Sequence, residues 1–138
     1  MSLVRVLLLT HAGLGAALAE VVEKIYGTPP EDLLVLAPMG DDLALLRSEL
    51  ETLIKAAHAH HPLLILCDIR GASPANALPR DWDYPWVRVV YGLSLPMLLR
   101  ALSRRERWEG LAEAVAQGAQ EAIRCHPESA PPHISALD

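Results

Sequence analysis

The 138 residues fit one domain, so we expect no multidomain enzyme. Hydrophobic residues make up 51% of the chain and charged residues 21%, a balance that supplies one core and disfavours disorder. The 12 basic and 17 acidic side chains give a net charge of −5, which argues against binding to nucleic acid or to an anionic membrane. Two cysteines are too few for a disulfide scaffold and fit a reducing compartment. We therefore expect a cytoplasmic protein.

Strand-like and helix-like segments alternate along the chain. Apolar runs of strand length, typical of strands buried in a parallel sheet, occupy residues 3–10, 32–37, 63–68 and 84–91. Apolar residues with helical spacing predict helices at residues 14–25, from 41 up to Pro62, from Ser73, from Ser94, and at 111–125. This alternation predicts a mainly parallel sheet with helices on both faces.

The most common small arrangement of this kind is a flavodoxin-like, three-layer α/β/α fold with strand order 2-1-3-4. We expect residues 1–125 to form this domain and residues 126–138 to form a Pro-containing tail. A further edge strand in that tail, around His133 to Leu137, could be exchanged between the two chains of a dimer.

In such a sheet, ligands bind beyond the carboxyl ends of the strands, where the strand order reverses. Here that point lies between the first and third strands, which end at Thr10-His11 and Cys67-Asp68. We expect Asp68 to accept a hydrogen bond from Nδ1 of His11. The carboxylate would then fix the tautomer and leave Nε2 as a nucleophile.

The segment Gly71–Asn76 follows Asp68 and adds an anion-binding element. Glycine allows close approach of the backbone, and Ser73-Pro74 is read as the N-cap and first residue of a short helix, whose free N–H groups attract an anion. Each of these signals alone is more often structural than functional. Their convergence at one point of the fold predicts a site that accepts a phosphoryl group.

Three segments, LLLTHAGLGAAL, LCDIRGASPANAL and VVYGLSLPMLLRAL, occur in this order. With them the chain resembles, over roughly residues 3–124, the IIA component of the mannose family of the bacterial sugar phosphotransferase system. The resemblance implies a homodimer of parallel-sheet domains, without a metal ion or other cofactor. It also implies that a histidine takes a phosphoryl group from phospho-HPr and passes it to a IIB component.

The resemblance assigns roles to individual residues. His11 would be the phosphohistidine and Asp68 its orienting carboxylate, with Asn76 in a supporting position. Relatives often carry an aromatic residue where this chain has Arg70, and an arginine there could clamp a phosphate. They also often carry Gly-Gly where this chain has Gly71-Ala72. The residues expected around the phosphoryl group are Thr10, Arg70, Gly71, Ala72 and Ser73.

The partners implied are HPr, a separate IIB component and a second copy of the chain. The sequence shows no IIB segment after its tail. Any membrane association would be indirect, through a IIC/IID transporter if one is present. Two alternatives remain open: a regulatory IIA-like protein that signals by its phosphorylation state, and a metal chelatase. The chelatase is disfavoured because no other histidine stands at the carboxyl end of a strand.

A histidine cluster at residues 58, 60 and 61 invites a metal-binding interpretation. Positions 58 and 61 have the spacing of ligands on one helix face. However, we expect these histidines in the last turn of the helix before Pro62, where their positive charge would suit the helix dipole. We therefore favour a solvated helix end.

Overall fold

The computed structural model describes residues 3–128. It contains a sheet of four parallel strands: β1 (Arg5–Leu9), β2 (Leu33–Leu36), β3 (Leu63–Cys67) and β4 (Val87–Tyr91). Their order is β2-β1-β3-β4, which confirms the predicted topology. The segment proposed for an exchanged strand, His133 to Leu137, lies outside the described residues.

Five helices connect and follow the strands. They are α1 (Leu14–Tyr26), α2 (Ala44–Ala56), α3 (Ser73–Asn76), α4 (Leu95–Arg104) and α5 (Leu111–Glu121). Helices α1, α4 and α5 pack on one face of the sheet, and α2 and α3 pack on the other. This arrangement confirms the flavodoxin-like three-layer fold.

The two central strands, β1 and β3, are buried at all five of their positions. Because successive side chains of a strand point to opposite faces, Val6 and Leu8 enter the core under α1, α4 and α5. Leu7 and Leu9 enter the core under α2 and α3. The nearly continuous apolar runs in the sequence reflect this burial on both faces.

Two helix boundaries follow from local chemistry as predicted. Helix α1 ends at Gly27, whose φ of 81° lies in the left-handed region that glycine adopts without strain. Helix α4 begins after Ser94, whose side-chain oxygen accepts a hydrogen bond from the backbone N–H of Met97 at 3.3 Å.

The end of α2 was predicted incorrectly. The helix ends at Ala56, and Ala57 is extended with ψ of 137°, so the histidines lie beyond the helix rather than in its last turn. His58 and His61 close a tight turn by exchanging two backbone hydrogen bonds. This turn, rather than Pro62, ends the helix early, because a proline disfavours helical geometry only at the residue before it. Within residues 3–128 no cluster of three or more potential metal-ligating side chains occurs.

Two helix starts differ from the prediction: α2 begins at Ala44 rather than at residue 41, and α3 is shifted by one residue. Leu43 is the N-cap of α2, and Asp42, one residue earlier, accepts a hydrogen bond through Oδ1 from the N–H of Ala44 at 2.9 Å. Ala72 is the N-cap of α3, so Ser73 is its first residue and makes no capping hydrogen bond. None of the helices in the described part of the chain is long and apolar enough to cross a membrane.

Candidate functional site

The register of β1 against β3 brings His11 and Asp68 together. Leu9 pairs with Cys67 at the last position of the ladder, and the N–H of Asp68 donates to the carbonyl of Leu9 at 3.2 Å. The chains leaving both strands are therefore side by side at the carboxyl edge. This is the point where the strand order reverses, as the sequence predicted.

Oxygen Oδ2 of Asp68 binds His11 twice. It accepts a hydrogen bond from the backbone N–H of His11 at 2.8 Å and another from the ring Nδ1 at 2.7 Å. An ionised carboxylate can only accept, so Nδ1 carries the hydrogen and, in the neutral ring, Nε2 keeps a free lone pair. The predicted hydrogen bond between Nδ1 and Asp68 is thus present.

The environment of Asp68 keeps its carboxyl group ionised. Burial of this side chain acts to raise its pKa, but the hydrogen bonds from the backbone and ring of His11 and from the N–H of Ile69 outweigh burial. The pKa of Asp68 is therefore lower than its ordinary value. The side chain of Asp68 is only 9% exposed, whereas that of His11 is 54% exposed, so the ring is open to an incoming molecule.

Thr10 holds the turn that carries His11. Its hydroxyl donates to the carbonyl of His11 at 2.7 Å and accepts from the N–H of Gly15 at 2.9 Å. Thr10 is fully buried, so this hydroxyl has no free surface on which to meet a phosphate. The expected place of Thr10 beside the phosphoryl group stays a prediction.

The loop from Ile69 to Ala72 continues along the same edge of the sheet. Gly71 has a φ of 84°, a conformation that suits glycine, and Ala72 is half-buried. Ser73 and Asn76, in the short helix that follows, are exposed. Arg70 is also exposed, and it forms no hydrogen bond or ion pair with any residue between 3 and 128. These side chains are therefore available to a ligand at the edge where His11 stands.

Sequence reasoning missed two parts of the site. The first is the N–H of Ile69, which donates to Oδ1 of Asp68 at 2.8 Å and fixes the second oxygen of the carboxylate. The second is a set of exposed apolar side chains next to the acceptor residues in the sequence, Leu14 at 43% and Ile69 at 54%. Their exposure depends on loop geometry, which the apolar pattern alone does not show.

Known proteins identify the family to which a chain with such a site belongs. Residues 5–120 match the family EIIA-man, described as the PTS system fructose IIA component. The chain belongs to the EIIA-man family. It is therefore a IIA component of the mannose and sorbose type, a group of phosphotransferases that serve sugar uptake. The family predicted from the three sequence segments is confirmed.

Individual EIIA relatives agree with this assignment. The PTS system sorbose-specific EIIA component of Klebsiella pneumoniae is 29% identical over 104 residues, which cover 75% of this chain and 76% of that protein. The mannose/sorbose specific IIA subunit from Enterococcus faecalis superposes with a TM-score of 0.73 at 25% identity, covering 95% of this chain and 98% of that one. The EIIA component from Streptococcus agalactiae gives a TM-score of 0.78 at 21% identity, covering 91% and 99%.

Proposed function

We propose that His11 accepts a phosphoryl group from phospho-HPr and passes it to a separate IIB component. One observation carries this proposal: an exposed imidazole is held through Nδ1 by a buried carboxylate, which leaves Nε2 free. In the first step the lone pair of Nε2 attacks phosphorus and an N–P bond forms. The N–P bond to the histidine of HPr breaks, and its electron pair returns to that nitrogen. Transfer to IIB repeats this exchange in the other direction.

In this proposal Asp68 acts on both the free and the phosphorylated ring. Before transfer, its hydrogen bond to Nδ1 fixes the tautomer and the direction of Nε2. After transfer, the ring carries a hydrogen on Nδ1 and a phosphoryl group on Nε2, and is positively charged. The buried carboxylate offsets that charge at short range.

The loop after Asp68 supplies the surroundings of the phosphoryl group. Gly71 and Ala72 would offer backbone N–H groups, and Ser73 a hydroxyl, with Asn76 in support. Arg70 would add a guanidinium that can donate two hydrogen bonds to phosphate oxygens. Thr10 enters the proposal only as a positioning residue, because its hydroxyl is already bound within the turn.

The proposed setting is the cytoplasm, with HPr as the donor and IIB as the acceptor. The protein would reach a membrane only indirectly, through a IIC/IID transporter. Its own substrate is the phosphoryl group, so the residues of the site do not specify a sugar.

Phosphorylation can be tested by incubation with phosphoenolpyruvate, enzyme I and HPr, followed by intact mass. Wild type should gain one acid-labile phosphoryl group, and His11→Ala should gain none while keeping its fold. His58→Ala is the matched control, because it removes another exposed histidine far from the carboxyl edge and should label as wild type does. Labelling that persists in His11→Ala, or that is lost in His58→Ala, would contradict the assignment.

A further inference from the structure

A cavity opens at the carboxyl edge of the sheet, on the face covered by α2 and α3. Its volume is about 580 Å³, and it is lined by Arg47, Arg80, Asn76, Tyr91 and the apolar residues Leu43 and Leu78. We refer to it as the arginine pocket. Its volume falls within the range of roughly 300–1,000 Å³ that is usual for small-molecule sites.

The fold explains why these residues meet. Tyr91 is the last residue of β4, and Arg47 lies in the first turns of α2, which follows β2. Asn76 ends α3, and Arg80 comes four residues later along the chain. Tyr91 and the start of α2 lie at the carboxyl ends of their strands, the edge that holds His11, and Arg80 lines the same cavity from the segment after α3.

Neither arginine of the pocket has a carboxylate partner within 4.0 Å among residues 3–128. Glu51 lies four residues after Arg47 and could pair with it on the helix surface. However, Glu51 is bound to Lys55, the better-oriented partner, which follows it by four residues. Arg80 is followed closely by Asp81 and Asp83, yet neither forms an ion pair with it.

Arg47 and Arg80 are both exposed, lack an ion-pair partner among residues 3–128 and line one cavity, so both are available to an anion. Each guanidinium offers a planar fork of donors that matches phosphate oxygens. The amide of Asn76 and the hydroxyl of Tyr91 can add neutral hydrogen bonds, while the ring of Tyr91 and the two leucines can pack against an uncharged body. We propose that the arginine pocket binds a small organic phosphate, with its phosphate on Arg47 and Arg80.

This inference goes beyond the proposed function and does not depend on His11. A phosphate ester bound here would occupy the edge at which a phosphoryl donor or acceptor must dock. Its binding could therefore couple the phosphorylation of His11 to the concentration of a phosphorylated metabolite.

Calorimetric titration with glucose 6-phosphate, inorganic phosphate and glucose tests the pocket. Glucose 6-phosphate should bind saturably at millimolar concentration or below, inorganic phosphate should compete with it, and glucose should not bind. Arg47→Gln and Arg80→Gln should each weaken binding about 10-fold or more, because each removes a charge-assisted contact. Arg107→Gln is the matched control, since it removes an exposed arginine that lies near Glu109 at the opposite edge, and it should bind as wild type does.

Two further measurements keep the result unambiguous. His11→Ala should bind glucose 6-phosphate as well as wild type does, whether or not phosphorylation of His11 is established. In wild type, the ring signals of Tyr91, which lines the pocket and has no place in the proposed phosphoryl site, should shift on titration, which tests the pocket even where an arginine variant fails to fold. The proposal would be overturned by the absence of saturable binding, by equal binding to wild type and both pocket variants, or by loss of binding in His11→Ala.

Discussion

At the residue scale, one oxygen atom of Asp68 controls the position of His11. The backbone N–H and the ring Nδ1 of His11 both donate to Oδ2, and the other carboxylate oxygen is held by Ile69. The ring is therefore fixed at two points although more than half of its side-chain surface is open. This combination suits a group that must meet two different partners in the same orientation.

Asp68→Asn should slow phosphoryl transfer more than it weakens HPr binding. The amide is neutral, so it offsets the charge of the phosphorylated ring poorly, and it does not enforce the tautomer. We expect the single-turnover rate from phospho-HPr to fall by about 100-fold or more, since replacing an orienting carboxylate by its amide elsewhere costs up to about 10⁴-fold. Asp42→Asn changes an exposed carboxylate that also accepts a backbone hydrogen bond, and it should transfer at the wild-type rate. Equal rates in wild type and Asp68→Asn would contradict the proposed role.

The same carboxyl group should make stability depend on pH. Its pKa in the folded protein lies below the ordinary value of 3.8 because the hydrogen bonds from His11 and Ile69 outweigh burial. The contribution of this carboxyl group to folding stability is therefore complete above its pKa in the unfolded chain. It is lost as pH falls through its pKa in the folded protein. Denaturant unfolding should show wild type more stable than Asp68→Asn at pH 7, with the difference shrinking below about pH 4. A difference that stays constant down to pH 2 would exclude this linkage.

Arg70 stands where the family resemblance leads us to expect an aromatic residue. If its guanidinium binds the phosphoryl group, Arg70→Trp should shorten the lifetime of phosphohistidine and shift the HPr equilibrium toward phospho-HPr. Because Arg70 is exposed, the expected effect is modest, about two- to fivefold. Arg107→Trp makes the same substitution at the opposite edge and should change neither quantity. If Arg70→Trp also changes neither, no clamp exists.

At the element scale, the periodic apolar patterns of the sequence predicted the buried elements. Boundaries that depend on contacts with other segments of the chain were missed. The central strands β1 and β3 could be predicted because burial on both faces requires a continuous run of apolar residues in the sequence. Strand β4, at the other end of the described sheet from β2, begins at Val87, although the apolar and aromatic pattern starts at Tyr84, because strand pairing requires a partner and not only side-chain type. The early end of α2 depends on a turn between His58 and His61, which helical spacing cannot reveal.

The same distinction applies to the site. The contact between His11 and Asp68 follows from strand order and register, both of which the alternation of elements implies. The buried hydroxyl of Thr10 and the N–H of Ile69 depend on the exact path of two loops. Loop paths are set by turn geometry and packing together, so the sequence pattern did not show these two contacts.

The turn that starts α1 offers a test of that local geometry. A Cβ atom at Gly15 would lie 3.0 Å from both Oγ1 of Thr10 and Cγ1 of Val35, closer than an ordinary contact. Gly15→Ala should therefore displace α1, lower the free energy of unfolding by about 1–3 kcal/mol and slow phosphorylation of His11. Ala16→Ser adds one atom at the next, exposed position of the helix and should cost about 0.5 kcal/mol or less. Denaturant unfolding measures the free energy of unfolding, and intact-mass labelling measures phosphorylation of His11. Equal stability and labelling of the two variants would show that the close contact is relieved without a cost in free energy.

At the scale of the whole molecule, one side of the domain exposes apolar surface. Helix α1 carries Leu14, Val21, Ile25 and Tyr26 with exposed fractions between 39% and 53%. The adjacent strand β2 is at one end of the described sheet, and its Val35 is 37% exposed. Exposed apolar side chains beside a strand edge are a common sign of association.

We therefore predict that the protein is a homodimer. The exposed apolar side chains of α1 and β2 can be buried against a second copy, because a two-fold axis brings the same surface of both chains together. Light scattering at micromolar concentration should give twice the mass of one chain. Ile25→Glu places a charge among these side chains and should shift the equilibrium toward monomer, whereas Ser48→Glu adds the same charge at an exposed position of α2 and should not. A wild-type monomer at this concentration would refute the dimer, and a dimer unaffected by Ile25→Glu would place the interface on another surface.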